Sequence, residues 1–234
     1  MTDREEGDSG TEPYPALPAD RSALRRLIEA RLKGSRAEPD PSNAVPAGFS
    51  VHDIEAIRAY FPTSPIPAAV LVPIVDRDSG LTVLLTQRAS HLKNHGGQIS
   101  FPGGRIEPTD PNPVEAALRE TQEEIGIGRE YISFAGYLEP QLLLSGYWVT
   151  PVVGFLQPGF ELELDRREVE SAFEVPLMHI LDPLNHRARE RRLGAVTVQV
   201  YDIPYENHNI WGATAGMLMS LYRLLTKAEG TRDR

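Results

Sequence analysis

Cysteine is absent from all 234 residues. Disulfides, thiolate nucleophiles and Cys-based zinc sites are thereby excluded. Positive charge is also scarce: 24 Lys and Arg face 33 Asp and Glu, for a net charge of -9. Broad attraction to nucleic acid or to an anionic membrane is not expected of such a chain. An anionic ligand would need a local basic patch or a bridging cation. No apolar run approaches the ~18 residues of a membrane span. The opening, MTDREEGDSGTEPYP, is acidic and polar and does not read as a secretory leader. The expectation is a soluble, cytoplasmic protein with no nucleic-acid or membrane partner; composition leaves the oligomeric state open.

What the chain does have is core material. Hydrophobic residues make up 41% and charged residues 24%, ordinary values for a globular domain with extensions. Residues 1–20 are rich in Asp, Glu, Gly and Pro and read as a disordered tail. Residues 21–64 read as a helical extension and linker. Leu24, Leu27, Ile28 and Leu32 line one side of a helix that Gly34 stops, AEPDPSNAVPAG is the linker, and a short helical piece follows from Val51 to Tyr60. The main domain is expected over 65–228. Its strands are Ala68 to Asp76, Leu81 to Ala89, Ile132 to Leu138, Tyr147 to Leu156 and Val196 to Ile203, and a helix from Thr214 to Ala228 closes it. Strands mixed with a few helices point to a mixed α/β sandwich.

One helix stands out. Asn112 is a good N-cap, Pro113 suits the first helical position, Glu115 at N3 completes a capping box, and Gly126 is a natural stop. Val114, Ala117, Leu118, Thr121 and Ile125 share one face at 3.6 residues per turn. Glu120, Glu123 and Glu124 form a separate arc of about 100°. They crowd the helix end that carries partial negative charge. Glu120 and Glu124 are also a like-charge i,i+4 pair, which costs a few tenths of a kcal/mol. Such an arc is either a solvated face or a site for a hard divalent cation, which takes oxygen ligands and bridges to phosphates.

The loop before this helix, HLKNHGGQISFPGG from His91 to Gly104, favours the second reading. Gly103 and Gly104 let the backbone approach a ligand closely. Arg88, His91, Lys93 and His95 give an acidic protein a local positive patch. Arg88, at a strand end, can grip phosphate with two parallel hydrogen bonds.

The stretch GGRIEPTDPNPVEAALRETQEEIGI resembles the Nudix box: a glycine, a spaced acidic residue, then R-E-U-x-E-E-x-G-U, with U bulky and apolar. Arg119, Glu120, Glu123, Glu124, Gly126 and Ile127 fit, while Thr121 fills the first apolar slot. From Gly104 to Arg119 the spacing is one residue longer than the general box, and Asp110 stands roughly where a Glu is usual. The extra residue is similar to the coenzyme A pyrophosphatase branch. So is LLTQRASHLKNHGGQISFPGG, Leu84 to Gly104, with Lys93 at the second basic position, and so is YENHNIWGATAGML near the C-terminus.

The resemblance implies a Nudix-type α/β/α sandwich with a mixed sheet, and metal-dependent hydrolysis of a diphosphate linked to another moiety. By the same resemblance, Glu120 and Glu124 are metal ligands for Mg²⁺ or Mn²⁺. Glu123 is a third ligand or the base, and the Gly103 carbonyl is a further ligand. Arg119 holds Glu123 one turn on, and Glu168 lies where a loop glutamate assists in several such enzymes. Arg88, Lys93, Gly103 and Gly104 are the expected substrate contacts. The implied substrate is coenzyme A or a derivative, with its adenosine 3′-phosphate a natural target for Arg88 or Lys93. ADP-ribose or a nucleoside-diphosphate sugar is the alternative substrate. A non-catalytic ligand sensor would be expected to lose carboxylates that this chain keeps. HRARERR, His186 to Arg192, reads as a charged surface loop, RREVESAFEVPL as an acidic segment, and His179 and His208 have no evident partners.

Overall fold

The computed structural model describes residues 17–39 and 60–227. The start of the acidic tail, the second part of the linker, all but the last residue of the helix expected over Val51–Tyr60, and Ala228 lie outside them.

The first helix, α1 (Arg21–Leu32), begins where Asp20 accepts the Ala23 N–H at 2.8 Å. Leu24, Ile28 and Leu32 are buried, and Leu27 is half-buried against the same core. The strands follow: β1 (Ile66–Arg77), β2 (Gly80–Arg88), β3 (Ile99–Ser100) and β4 (Gly103–Arg105). Then come α2 (Pro113–Ile125), β5 (Ile132–Tyr137), β6 (Gln141–Leu142) and β7 (Tyr147–Leu156). The chain finishes with β8 (Val169–Pro176), α3 (Leu177–Leu181), β9 (Arg187–Leu193), β10 (Val196–Tyr205), β11 (His208–Trp211) and α4 (Gly212–Thr226).

The main sheet runs β3-β2-β1-β7-β5, with β4 added to β1, β6 to β7 and β8 to β2. It is mixed, because β1 and β7 are parallel and the other pairs antiparallel. Alternation across the strands builds two cores. Ala69, Leu71, Val75, Val152 and Leu156 pack against Ala116, Ala117 and Ile125 of α2. Ala68, Val72, Val83, Leu85 and Val153 pack against α1 and against Leu218, Leu221 and Leu225 of α4. This is the expected α/β/α sandwich. Each fully buried Leu or Ile contributes roughly 1.5–3 kcal/mol, so α1 adds to the same core as the rest of the fold. A separate three-stranded sheet runs β11-β10-β9.

Several elements differ from expectation. All of HRARERR but His186 belongs to strand β9 and not to a loop; Arg187–Arg192 are exposed, Leu193 after them is half-buried, and Arg189 pairs with Asp202. With both faces wet, no alternation marks it as a strand. The acidic segment is β8, whose Glu174 is held by Arg77 and Thr82. The glycine-rich loop contains β3 and β4. The helical face of α2 also departs from the pattern: Leu118 is half-buried, while Ala116 and Glu124 are buried. His179 does have partners, in Pro204 O at 2.8 Å and Asn185. His208 stacks on Phe173, with ring centroids 3.8 Å apart.

Candidate active site

Helix α2 starts and stops as its sequence predicts. Asn112 Oδ1 accepts the Glu115 N–H at 3.1 Å, and Gly126, at φ 76°, closes the C-terminus on Gln122 O. The capping box is only half formed, because the Glu115 carboxylate goes to Arg129 at 2.8 Å. Thr121, in the apolar slot, is fully buried without cost to its hydroxyl, which donates to Ala117 O at 2.6 Å.

Arg119 organises the site. Its guanidinium forks onto Asp110, at 3.1 and 2.9 Å. It also reaches Glu120 at 2.9 Å, Glu123 at 3.1 Å and the Arg105 carbonyl at 3.1 Å. The contact with Glu123 is the expected i,i+4 pair; Glu120 is the next residue of the helix, Asp110 comes from the preceding loop and the Arg105 carbonyl from the end of β4. In the loop before the helix, Asp110 Oδ2 accepts the Glu107 N–H and Asp110 N–H donates to Glu107 O, closing a turn that aims Asp110 at Arg119. Arg119 holds the Asp110 carboxyl below the usual carboxylate range.

The three glutamates occupy three environments. Glu124 is buried beneath the loop, with Oε2 accepting the Gly103 N–H at 3.1 Å and Oε1 lying 3.7 Å from Arg88. Burial pushes its carboxyl up to about 8; Gly103 and Arg88 oppose the rise, while Glu120 and Glu168 add to it. Glu120 is half-buried and raised for the same first reason, against the pull of Arg119 and with Glu123 and Glu168 adding. Glu123 is exposed.

Two glycines make this possible. A Cβ on Gly104 would stand 2.5 Å from the Glu120 carboxyl. A Cβ on Gly103, at φ 152°, would stand 2.6 Å from Val70 Cα. The first glycine makes room for the Glu120 carboxyl, and the second for the neighbouring strand.

Glu168 joins the group from the other side. Its carbonyl accepts the Ala89 N–H at 2.8 Å, and Asp165 N–H donates to Glu124 O at 3.0 Å. The turn carrying Glu168 is thus tied both to the residue after Arg88 and to the end of α2. The expected residues Arg88, Gly103, Gly104, Arg119, Glu120, Glu123, Glu124 and Glu168 are brought together. Lys93 is exposed on the loop between β2 and β3, with no side-chain partner among the described residues.

Carboxylates that raise one another's pKa, in a cradle of hard oxygen donors, fit a divalent cation in kind. Among the described residues no three His, Cys, Asp or Glu side chains stand in ready ligating geometry. In their present rotamers Glu120 points to Arg119 and Glu124 to the Gly103 amide. Asp110 and the Arg105 carbonyl join the site beyond the residues expected from the sequence. The spacing of the box is the only sequence signal for Asp110, and nothing local marks Arg105.

A family model described as the NUDIX domain matches residues 65–195. A Yersinia pestis (strain Pestoides F) protein named as the uncharacterized Nudix hydrolase NudL is 38% identical over 162 residues, which cover 69% of this chain and 81% of that protein. Its counterpart in Yersinia pseudotuberculosis serotype O:1b (strain IP 31758) matches to the same extent. The chain belongs to the Nudix hydrolase family, whose members act on diphosphate bonds. Solved structures give more distant likenesses. A C. elegans Ap4A hydrolase binary complex is 23% identical with a TM-score of 0.42, covering 47% of this chain and 80% of that one. The NUDIX domain of Shewanella oneidensis NrtR, complexed with ADP ribose, is 21% identical with a TM-score of 0.40, covering 57% and 87%.

Proposed function

We propose that the protein hydrolyses the diphosphate bond of coenzyme A or its derivatives, releasing 3′-phospho-AMP and 4′-phosphopantetheine. The observation that carries this reading is the placement of Arg88. The run Leu84–Gly104, which resembles the coenzyme A branch, delivers its arginine 3.7 Å from Glu124 and its terminal glycines against Glu120 and Glu124. A substrate diphosphate beside the carboxylates would meet that guanidinium.

Glu120 and Glu124 are the proposed ligands for Mg²⁺ or Mn²⁺, with Glu123 and the Gly103 carbonyl completing the set. When bound, the cation neutralises the diphosphate and makes water a better nucleophile. The protein's own residues supply the rest. Arg119 is a positioning residue: it fixes Glu120 and Glu123 and is itself fixed by Asp110. Water attacks one phosphorus, the P–O–P bridge breaks, and the bridging oxygen leaves with the other phosphate. A carboxylate takes the water's proton. Glu123, exposed at the mouth of the site, and Glu168, facing Glu120 and Glu124, are the two candidate bases.

Single turnover in ¹⁸O-water tests this chemistry. Label in one of the two product phosphates is expected, and the product that carries it identifies the phosphorus attacked. First-turnover product without label, or a trapped phosphoryl-enzyme, contradicts direct attack. Glu123→Gln and Glu168→Gln, compared in the same assay, separate the bases: the larger loss of kcat marks the group that takes the proton. Efficient turnover of ADP-ribose or a nucleoside-diphosphate sugar with none of coenzyme A would replace the substrate. Binding without turnover of any diphosphate would make the protein a sensor.

A further inference from the structure

Most cations around the carboxylate cluster are already engaged. Arg119 serves Asp110, Glu120 and Glu123. Arg167 forks onto Asp165, and Arg166 donates to the Glu170 carbonyl. Arg88 faces Glu124. Arg105 is different. Among the described residues it has no carboxylate partner, in a chain whose net charge is -9. Its Nε and Nη2 both donate to one phenol oxygen, that of Tyr147, at 3.3 and 3.2 Å. Its guanidinium carbon lies 5.7 Å from the centroid of the same ring. Lys93 also lacks a partner, but nothing fixes its position.

The clamp leaves a defined edge open. A guanidinium carries five N–H donors. With Nε–H and one Nη2–H committed to Tyr147, both Nη1 donors and the second Nη2 donor have no acceptor among the described residues. That end-on pair of nitrogens matches two oxygens of a phosphate. Tyr147 is an unusual restraint here, because it orients the arginine without neutralising it.

The position is tied to the site through the backbone. The Arg105 carbonyl accepts from Arg119 at 3.1 Å, and its neighbour Gly104 abuts Glu120. Successive positions of a strand face opposite sides. Gly104 therefore faces the carboxylates, and Arg105 leaves on the far side of β4, beside the start of β7. β4 pairs with β1 alone among the described strands. The edge of β4 away from β1 is taken by α2 side chains, Glu124 on the Gly103 N–H and Arg119 on the Arg105 carbonyl, so the Arg105 side chain leaves the backbone directly beside the residues that touch the carboxylates.

We propose that Arg105, oriented by Tyr147, binds a phosphate monoester carried by the nucleotide half of the substrate, outside the diphosphate that is cut. The inference rests on the coenzyme A reading, in which this group is the adenosine 3′-phosphate. Arg88, at the carboxylates themselves, is then left to the diphosphate.

The test compares kcat/KM for coenzyme A and dephospho-coenzyme A, with Mg²⁺ or Mn²⁺ present, in wild type, Arg105→Ala, Arg105→Lys, Tyr147→Phe and Arg88→Ala. Melting curves check that each variant folds. Wild type is expected to prefer coenzyme A. Arg105→Ala should cut that preference by about tenfold or more, chiefly through KM. Arg105→Lys should restore part of it, keeping the charge without the fork. Tyr147→Phe should lose a smaller share in the same direction, and Arg88→Ala should weaken both substrates alike. Equal losses on the two substrates in Arg105→Ala, or no wild-type preference, would overturn the inference while leaving the coenzyme A reading intact. Turnover of neither compound would overturn that reading, and this inference with it.

Discussion

Arg119 and Asp110 form a two-pronged ion pair, 3.1 and 2.9 Å, that joins the first turns of the glutamate helix to the loop before it. Its consequence is that two carboxylates, Glu120 and Glu123, are aimed by an arginine that is itself anchored.

Asp110→Asn should therefore act on both stability and catalysis. Losing a charge-assisted pair costs about 1.5–3 kcal/mol, and loosening the group that orients the ligands costs about 10–100-fold in activity. The pH dependence has a definite sign. Arg119 depresses the Asp110 carboxyl in the folded state below its unfolded value of about 3.9. Its stabilisation is present above that unfolded value and is lost as pH falls through the lower folded one. Urea midpoints taken from pH 6 downwards should fall in wild type over that range and fall less steeply in Asp110→Asn. Parallel acid limbs would show that the pair does not contribute.

Two adjacent glycines should behave oppositely. Gly103→Ala pushes a methyl into the backbone of β1 at an unfavourable φ, so the expected loss is of stability, about 2–4 kcal/mol. Gly104→Ala pushes it into the Glu120 carboxyl, the end of a side chain that can move. Its stability should change by less than about 1 kcal/mol while activity falls about 100-fold or more, because a misplaced group costs rate steeply. Melting curves and steady-state rates on the same two proteins check the contrast; a stable, fully active Gly104→Ala would mean that the Glu120 position is not critical.

Glu120→Gln and Glu124→Gln should each lower turnover by several orders of magnitude with the fold intact. Relief of carboxylate repulsion should leave the metal-free melting temperature unchanged or about 1–3 °C higher. Activity near wild type in either purified variant, or in wild type with excess chelator, would remove the metal role from the helix.

Helix α1 should be as essential to folding as the strands it covers. Ile28 is fully buried between the sheet and α4. Ile28→Ala is expected to cost about 2–5 kcal/mol, a core-sized penalty. A loss under about 0.5 kcal/mol by denaturant titration would make the helix a dispensable attachment.

The sequence was most legible where one element carried its own pattern. The apolar runs of β1, β2 and β7 are long enough to mark buried strands, and α2 displays its N-cap, its proline and its terminal glycine in order. It was least legible where elements are short or charged. β3, β4 and β6 have two or three residues, too few for any period. β8 hides Val169 and Val175 among glutamates, and Glu174 is held by an ion pair with Arg77 of β1 and a hydrogen bond from Thr82 of β2. In the site, the three glutamates could be read because one helix presents them. Asp110 comes from a loop and Arg105 from strand β4, and only the fold brings Asp110 and the Arg105 carbonyl to Arg119. The burial of Glu124 was equally hidden, since it lies at the border between the carboxylate arc and the core face.

The most direct test of the account is chromatography of coenzyme A incubated with purified protein and Mg²⁺ or Mn²⁺, beside ADP-ribose, NADH and dinucleoside polyphosphates. The predicted result is stoichiometric 3′-phospho-AMP and 4′-phosphopantetheine, formed faster than any product from the other compounds and abolished in Glu124→Gln. Intact coenzyme A alongside rapid hydrolysis of another diphosphate, or coenzyme A cleavage that survives Glu124→Gln, would contradict it.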